Sequence, residues 1–277
     1  MKKTIAFALL PLIFLSGCNG GDTSKTIAVA ASEIPHAEIL NEAVKPLLEE
    51  KGYKLEVTVL DWTLQNDGVY NGDYDANYFQ HRPYLQQYDS GSTAYSEAYS
   101  YSKVFPVASV HFEPLRIYPG KKGAYEFASS KATATYEICN DVSNEIRALD
   151  LLVSAGVISS YEKDKEGNPT NLPSNITPIA EELLVASIKD YDYAVLPTNT
   201  ALTGKLSGDS SLPMESDSVK DLRANVLAAN VSKYKGDSIY KDKIDVLADC
   251  LLSSSVASYI QTKYSGVIAS AQKDLRK

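Results

Sequence analysis

Two short apolar runs flanking one amphipathic helix set the opening of the fold. Ile27-Ala28-Val29-Ala30 reads as a buried strand, and Leu55, Val57 and Val59 alternate as a second. Between them Ile39, Leu40, Ala43, Val44, Leu47 and Leu48 recur at the helical period. Pro35 stands near the helix start, Pro46 is expected to bend it, and Lys51-Gly52 closes it. A β-α-β order favours a parallel sheet with a right-handed crossover. The same grammar returns further on, with strands at 136–139 and 191–196 and helices at 143–155, 181–189 and 197–202. One long amphipathic helix is expected over 241–263, carrying Ile244, Leu247, Leu251 and Ile260 on its apolar side. Residues 161–173 read as a solvated loop, and 90–102 is a Ser/Tyr/Ala-rich stretch. The simplest architecture is two α/β lobes joined by two crossing segments, one near 110–118 and the return near 225–231. Lobe 1 is then 26–112 plus 227–277, and lobe 2 is 113–226.

The chain begins with an address. Lys2 and Lys3 precede a short apolar run from Ile5 to Leu15, which ends in Leu15-Ser16-Gly17-Cys18. This reads as a signal peptide (1–17) with a lipobox; the alternative is an ordinary secretory signal with a chance cysteine. Lipidation at Cys18 would anchor the chain without a transmembrane helix, and 18–25 is a polar tether. Loss of Lys2 and Lys3 takes the 27 basic residues to 25, against 35 acidic ones, a net charge of −10. Such a surface excludes nucleic acid as a partner, since phosphate binding needs clustered Lys and Arg. The remaining thiols, Cys139 and Cys250, fall in different lobes and are expected to be free and buried. No Gly-x-Ser-x-Gly, His-Glu-x-x-His or phosphate-loop motif occurs, and Cys139 has no activating His nearby in sequence, so an enzyme is not expected.

Two constellations carry chemistry. In 75–85, an extended Tyr78–His81 puts Phe79 and His81 on one face. Pro83 can then start a helix that brings Tyr84 to its first turn. Such a cluster at a strand end suits an uncharged, polarizable side chain, and a thioether gains about 0.3–1.5 kcal/mol against an aromatic ring. Trp62, which follows the second strand, can wall the same pocket; ordinary core packing is the bland reading of each aromatic alone. In 140–147, Ser143 is a good N-cap, placing Asn144 and Arg147 in the first helical turn. Arg is the wrong charge there unless an anion sits beside it. The bland reading pairs Arg147 with Asp141 or Glu145 at the surface. Asn199 and Asn225 could each contact an ammonium or a carboxylate, though alone each is more often a turn residue.

These segments resemble the methionine-binding lipoproteins of ABC importers, the NlpA/MetQ family. The resemblance rests on Pro35-His36-Ala37-Glu38-Ile39-Leu40, 75–85, Val110-His111-Phe112-Glu113-Pro114, 140–149 and Ala224-Asn225-Val226. It implies a two-lobed periplasmic-binding-protein fold (type 2-like) that closes on a free amino acid, most of all L-methionine. It further implies a monomer held at the bacterial cell envelope, a membrane permease and an ATPase as partners, and no cofactor. Trp62, Phe79, His81 and Tyr84 would surround the ligand side chain. Asn144 and Arg147 would grip its backbone, with Arg147 on the carboxylate, and Asn199 and Asn225 would add two amides. The chain departs from the family at Trp62, where Tyr is usual, at Pro197, where Asn is common, and at Arg223, where Tyr is common. The competing readings are a zinc receptor using His36, His81 and His111 with Glu113, and a lipid-anchored adhesin.

Overall fold

The computed structural model describes residues 23–276. The signal peptide, Cys18 and most of the tether lie outside the described residues. In chain order the strands are β1 (Thr26–Ala31), β2 (Lys54–Val59), β3 (Ala76–His81), β4 (Val104–Phe112), β5 (Arg116–Pro119) and β6 (Tyr136–Cys139). They continue with β7 (Glu162–Lys163), β8 (Pro169–Thr170), β9 (Ile176–Ile179), β10 (Tyr193–Leu196), β11 (Asn225–Asn230) and β12 (Ala269–Asp274). Two sheets result. One has the order β12-β4-β11-β3-β1-β2, the other β5-β10-β6-β9. The fold is therefore α/β with two lobes, each built on its own sheet.

The expected parallel pairing holds where helices connect neighbours: β1 runs parallel to β2 and β3 in the larger sheet, and β6 to β9 and β10 in the smaller. It fails for β4, β11, β12 and β5, which pair antiparallel. The cause is the route of the chain. It leaves the larger sheet after β4, which runs with β1–β3, and re-enters at β11, which runs against them and lies between β3 and β4, so β4 has only antiparallel neighbours. Pairing begins at Asn225, so Asn225 and Val226 belong to the larger sheet, two residues ahead of the expected boundary at 227. The two crossings lie side by side: the Ile117 amide donates to the Pro213 carbonyl at 3.0 Å, and the Glu215 amide to the Leu115 carbonyl at 2.9 Å.

Apolar clusters cover both faces of the larger sheet, one around Val29, Tyr78, Val110 and Leu247, the other around Val69, Leu85, Val104 and Val226. The smaller sheet has its own core around Ile117, Ile138, Leu149 and Val195. Every residue of β3 is buried, and a triangle of amides fixes it. The Asn66 carboxamide donates to Gln80 at 2.8 Å, Asn77 donates to Asn66 at 2.9 Å, and Gln80 donates to both at 2.7 and 3.0 Å.

Several local expectations change. The helix expected over 241–263 is two, Ser238–Leu251 and Ser254–Lys263; Ser253 breaks it by accepting from the Val256 amide. The segment 33–44 winds in wide turns, and Pro46 falls in the first turn of a separate helix, Lys45–Glu50, where its missing N–H costs little. The loop at 161–173 contains the β7–β8 hairpin. Asp141, not Ser143, caps the helix Val142–Ser154, its Oδ1 accepting from the Asn144 amide at 3.0 Å. The Ser/Tyr-rich stretch is held from within by buried Asp89, which accepts from the amides of Ser102 (2.8 Å) and Lys103 (2.6 Å) and from the Tyr99 hydroxyl (2.7 Å). Cys139 and Cys250 are both free and buried.

Candidate solute site between the lobes

A cavity with about 500 Å³ of atom-free space gathers all eight residues singled out in the sequence: Trp62, Phe79, His81, Tyr84, Asn144, Arg147, Asn199 and Asn225. The positions are explained by chain direction. Trp62 follows β2, Tyr84 follows β3, Asn144 follows β6 and Asn199 follows β10, so these side chains cluster beyond the carboxyl ends of parallel strands, two from each lobe.

The aromatic side centres on Tyr84. Its ring lies 5.3 Å from Trp62, 5.9 Å from Phe79 and 6.4 Å from His81, all tilted or edge-on, the arrangement ring quadrupoles favour. His81 caps the helix Arg82–Ser90: its Nδ1 accepts from the Tyr84 amide at 3.2 Å. Burial, with the positive charges of Arg223 and Arg147, holds His81 well below the usual histidine range. A neutral ring that accepts at Nδ1 carries its proton on Nε2, which then donates across the cleft to Asn144 Oδ1 at 3.1 Å.

The polar side differs from expectation at Arg147. With Asp141 as the cap, Arg147 sits in the second turn, and it is neither a surface residue nor paired to Asp141 or Glu145. It is 4 % exposed and already has an anion. Its Nε and Nη2 fork onto Glu215 at 2.6 and 2.5 Å, and Nη2 also donates to the Glu113 carbonyl at 2.5 Å. Arg147 thus clasps both crossings at once, because Glu215 belongs to the return segment and Glu113 to the outgoing one. Nη1 makes no hydrogen bond among the described residues.

Sequence reasoning missed two carboxyls as pocket groups. Glu113, weighed only as a metal ligand, and Glu181 both line the cavity, together with Ser32, Gln80 and Pro197. Glu181 directly follows β9, so the strand-end rule that found Asn144 could have found it. Burial pushes the Glu181 carboxyl up to about 7, against a hydrogen bond from Thr200 at 2.7 Å. Burial likewise raises Glu113, opposed by His36, the Asn199 amide (3.2 Å) and Arg147.

The zinc set does not assemble as expected. His36, His111 and Glu113 bring ligand atoms within 4.8 Å of one another, but His81 is not among them; its nitrogens are committed to Tyr84 and Asn144. The three that converge form a hydrogen-bond network. His111 Nε2 lies 2.5 Å from Glu113 Oε1, its Nδ1 meets the Tyr78 hydroxyl, and His36 Nε2 lies 3.2 Å from Asn225 Oδ1 and 3.3 Å from Glu113. Burial lowers His36 to about 4 and His111 to about 3, so both are neutral donors to a buried carboxyl. A contact of 2.5 Å is too close for two ligands of one tetrahedral zinc, which stand about 3.3 Å apart at ordinary bond lengths.

A family profile described as NlpA lipoprotein matches residues 27–272. The chain belongs to the NlpA lipoprotein family. It is 36 % identical to the methionine-binding lipoprotein MetQ of Bacillus subtilis strain 168, over 97 % of this chain and 98 % of that one. It is 29 % identical to the membrane lipoprotein TpN32 of Treponema pallidum, over 87 % of each. Among solved structures, a nutrient binding protein from Burkholderia cenocepacia bound to methionine superposes with a TM-score of 0.72 at 26 % identity, covering 88 % of this chain and 99 % of that one. This member of the NlpA family is accordingly a solute-binding lipoprotein of the cell envelope, not an enzyme. No helix among the described residues is long and apolar enough to cross a membrane.

Proposed function

We propose that the cleft binds a free amino acid, L-methionine in preference to others, and that the protein delivers it to an ABC importer. One observation carries the reading: a buried guanidinium, two buried or half-buried carboxyls and an aromatic wall converge on one cavity. Those are the complements of a zwitterion with an apolar, polarizable side chain. Arg147 faces the ligand carboxylate, sharing its guanidinium with Glu215. Glu113 and Glu181 accept from the ammonium, and the amides of Asn144, Asn199 and Asn225 fill the remaining hydrogen bonds. Phe79, Tyr84, Trp62 and His81 enclose the side chain. The names of the Bacillus relative and of the methionine-bound Burkholderia structure support this choice of ligand. The chain would act as a monomer, tethered through a diacylglyceryl group on Cys18, with a membrane permease and its ATPase as partners and without metal or cofactor. Lobes 26–112 plus 225–277 and 113–224 would close on the ligand about the paired crossings. Native mass spectrometry of the protein as isolated tests the reading: a bound mass equal to methionine is expected, and calorimetry showing no heat with any free amino acid would refute it.

A further inference from the structure

Arg223 is the outlying charge of the molecule. It ends the short helix Lys220–Arg223, immediately ahead of β11, and is 9 % exposed. Its Nη1 is fully buried without a partner, and no hydrogen bond or ion pair reaches its guanidinium among the described residues. The two other buried arginines each have partners, Arg147 in Glu215 and Arg82 in the Asp221 carbonyl at 2.7 Å and Glu97, although Arg82 Nε is also buried without one. Burial and the neighbouring Arg147 lower the Arg223 pKa to about 10; Glu215, Asp150 and Asp141 act in the opposite direction without bonding to it. A buried ion left unpaired is strongly unfavourable, so this one calls for an anion.

The side chain opens on a cavity of its own, with about 660 Å³ of atom-free space and walls from both lobes. Thr93 and Tyr95 contribute from the larger lobe, Ser143 and Lys163 from the smaller. Ser143 and Ile146, one turn apart on the 13-residue helix Val142–Ser154, present one side of that helix to the cavity. Lys163 adds a second cation from the exposed strand β7. Across the same gap the Thr93 hydroxyl donates to the Glu166 carbonyl at 2.8 Å, so the walls already touch. We propose that this cavity is a second binding site, separate from the amino-acid cleft, that takes a small tetrahedral oxyanion such as sulfate or phosphate. Arg223 forks onto two of its oxygens, and Ser143 and Lys163 complete the contact. All three contacts come from the smaller lobe, while Thr93 and Tyr95 of the larger lobe wall the cavity opposite them.

The test is a ¹H–¹⁵N titration of the full chain, free of amino acid, with sodium sulfate and sodium phosphate against sodium chloride at matched ionic strength. Saturable shifts at Ser143, Lys163 and Arg223 are expected with either oxyanion and not with chloride. Arg223→Gln abolishes them, and Lys163→Gln weakens the oxyanion several-fold. The site is refuted if chloride gives the same shifts, if none saturate, or if Arg223→Gln titrates like the wild type. Should Arg223→Gln fail to fold, unchanged oxyanion affinity in both Lys163→Gln and Ser143→Ala refutes it equally. No amino acid enters the readout, so failure of the methionine reading leaves this result standing.

Discussion

Replacing Arg147 by Ala should damage binding and stability together, and a second substitution should separate the two. Arg147 and Glu215 form a nearly dry pair, with side-chain exposures of 4 % and 8 %. Truncating the arginine leaves the Glu215 carboxylate with only the Leu115 amide, at 2.7 Å. An uncompensated buried charge of this kind typically costs about 3–5 kcal/mol. With a urea slope of about 2–3 kcal/mol/M, the unfolding midpoint falls by about 1–2 M. Methionine binding, read by calorimetry, should vanish as well. Arg147→Ala combined with Glu215→Gln removes the stranded charge while Gln still accepts from Leu115. Most of the lost stability should return in this double variant, and binding should not. Glu215→Gln alone frees the guanidinium of its internal competitor; it should be less stable than the wild type yet bind methionine at least as tightly. The reasoning is refuted if Arg147→Ala binds like the wild type, or if the double variant recovers binding.

Phe79→Ala should weaken methionine by about tenfold, the loss of roughly 1–2 kcal/mol of ring contact, while changing alanine and glycine little; equal losses for all three would contradict the aromatic side-chain pocket. Glu181, raised to about 7 by burial, must be ionised to accept from an ammonium, so affinity should fall by up to about tenfold per pH unit below that value, and Glu181→Gln should flatten the profile. The same shift has the opposite sign for stability. The folded state holds this proton more tightly than the unfolded chain, so the associated stabilisation of the ligand-free protein is present in full below the unfolded carboxyl value and is lost as pH rises through about 7. Elemental analysis of purified protein should find no stoichiometric zinc, and chelator should leave methionine binding unchanged; one zinc per chain would overturn the amino-acid assignment.

Much of the lining of the cleft was legible because two rules act locally. Alternation put Phe79 and His81 on one face, and strand ends pointed to Trp62, Asn144 and Asn199. The partner of Arg147 was not legible, because Glu215 lies 68 residues away and reaches it only where the crossings meet. Asp141 and Ser143 are both good caps, and nothing local decides between them; the choice moves Arg147 by two helical positions, about half a turn. The antiparallel pairings were missed for a related reason, since β11 takes its direction from the return between lobes rather than from its own residues. β12 escaped notice because only half-buried and exposed residues compose it, which leaves no apolar rhythm to read. The break at 252–253 is a small step in a long amphipathic pattern, visible only through one serine side chain.

The amide triangle beneath the cleft also bears on how the sequence sets the site. β3 has no wet side, so the usual contrast between oily and polar residues cannot tell it which way up to lie. Asn66, Asn77 and Gln80 supply that missing instruction, because their carboxamides satisfy one another in a single alignment. A slip of one residue would carry Phe79 and His81 to the opposite face and strand the amides in hydrocarbon. The cradle for the solute is therefore indexed in large part by Asn66 and Asn77, neither of which lines it.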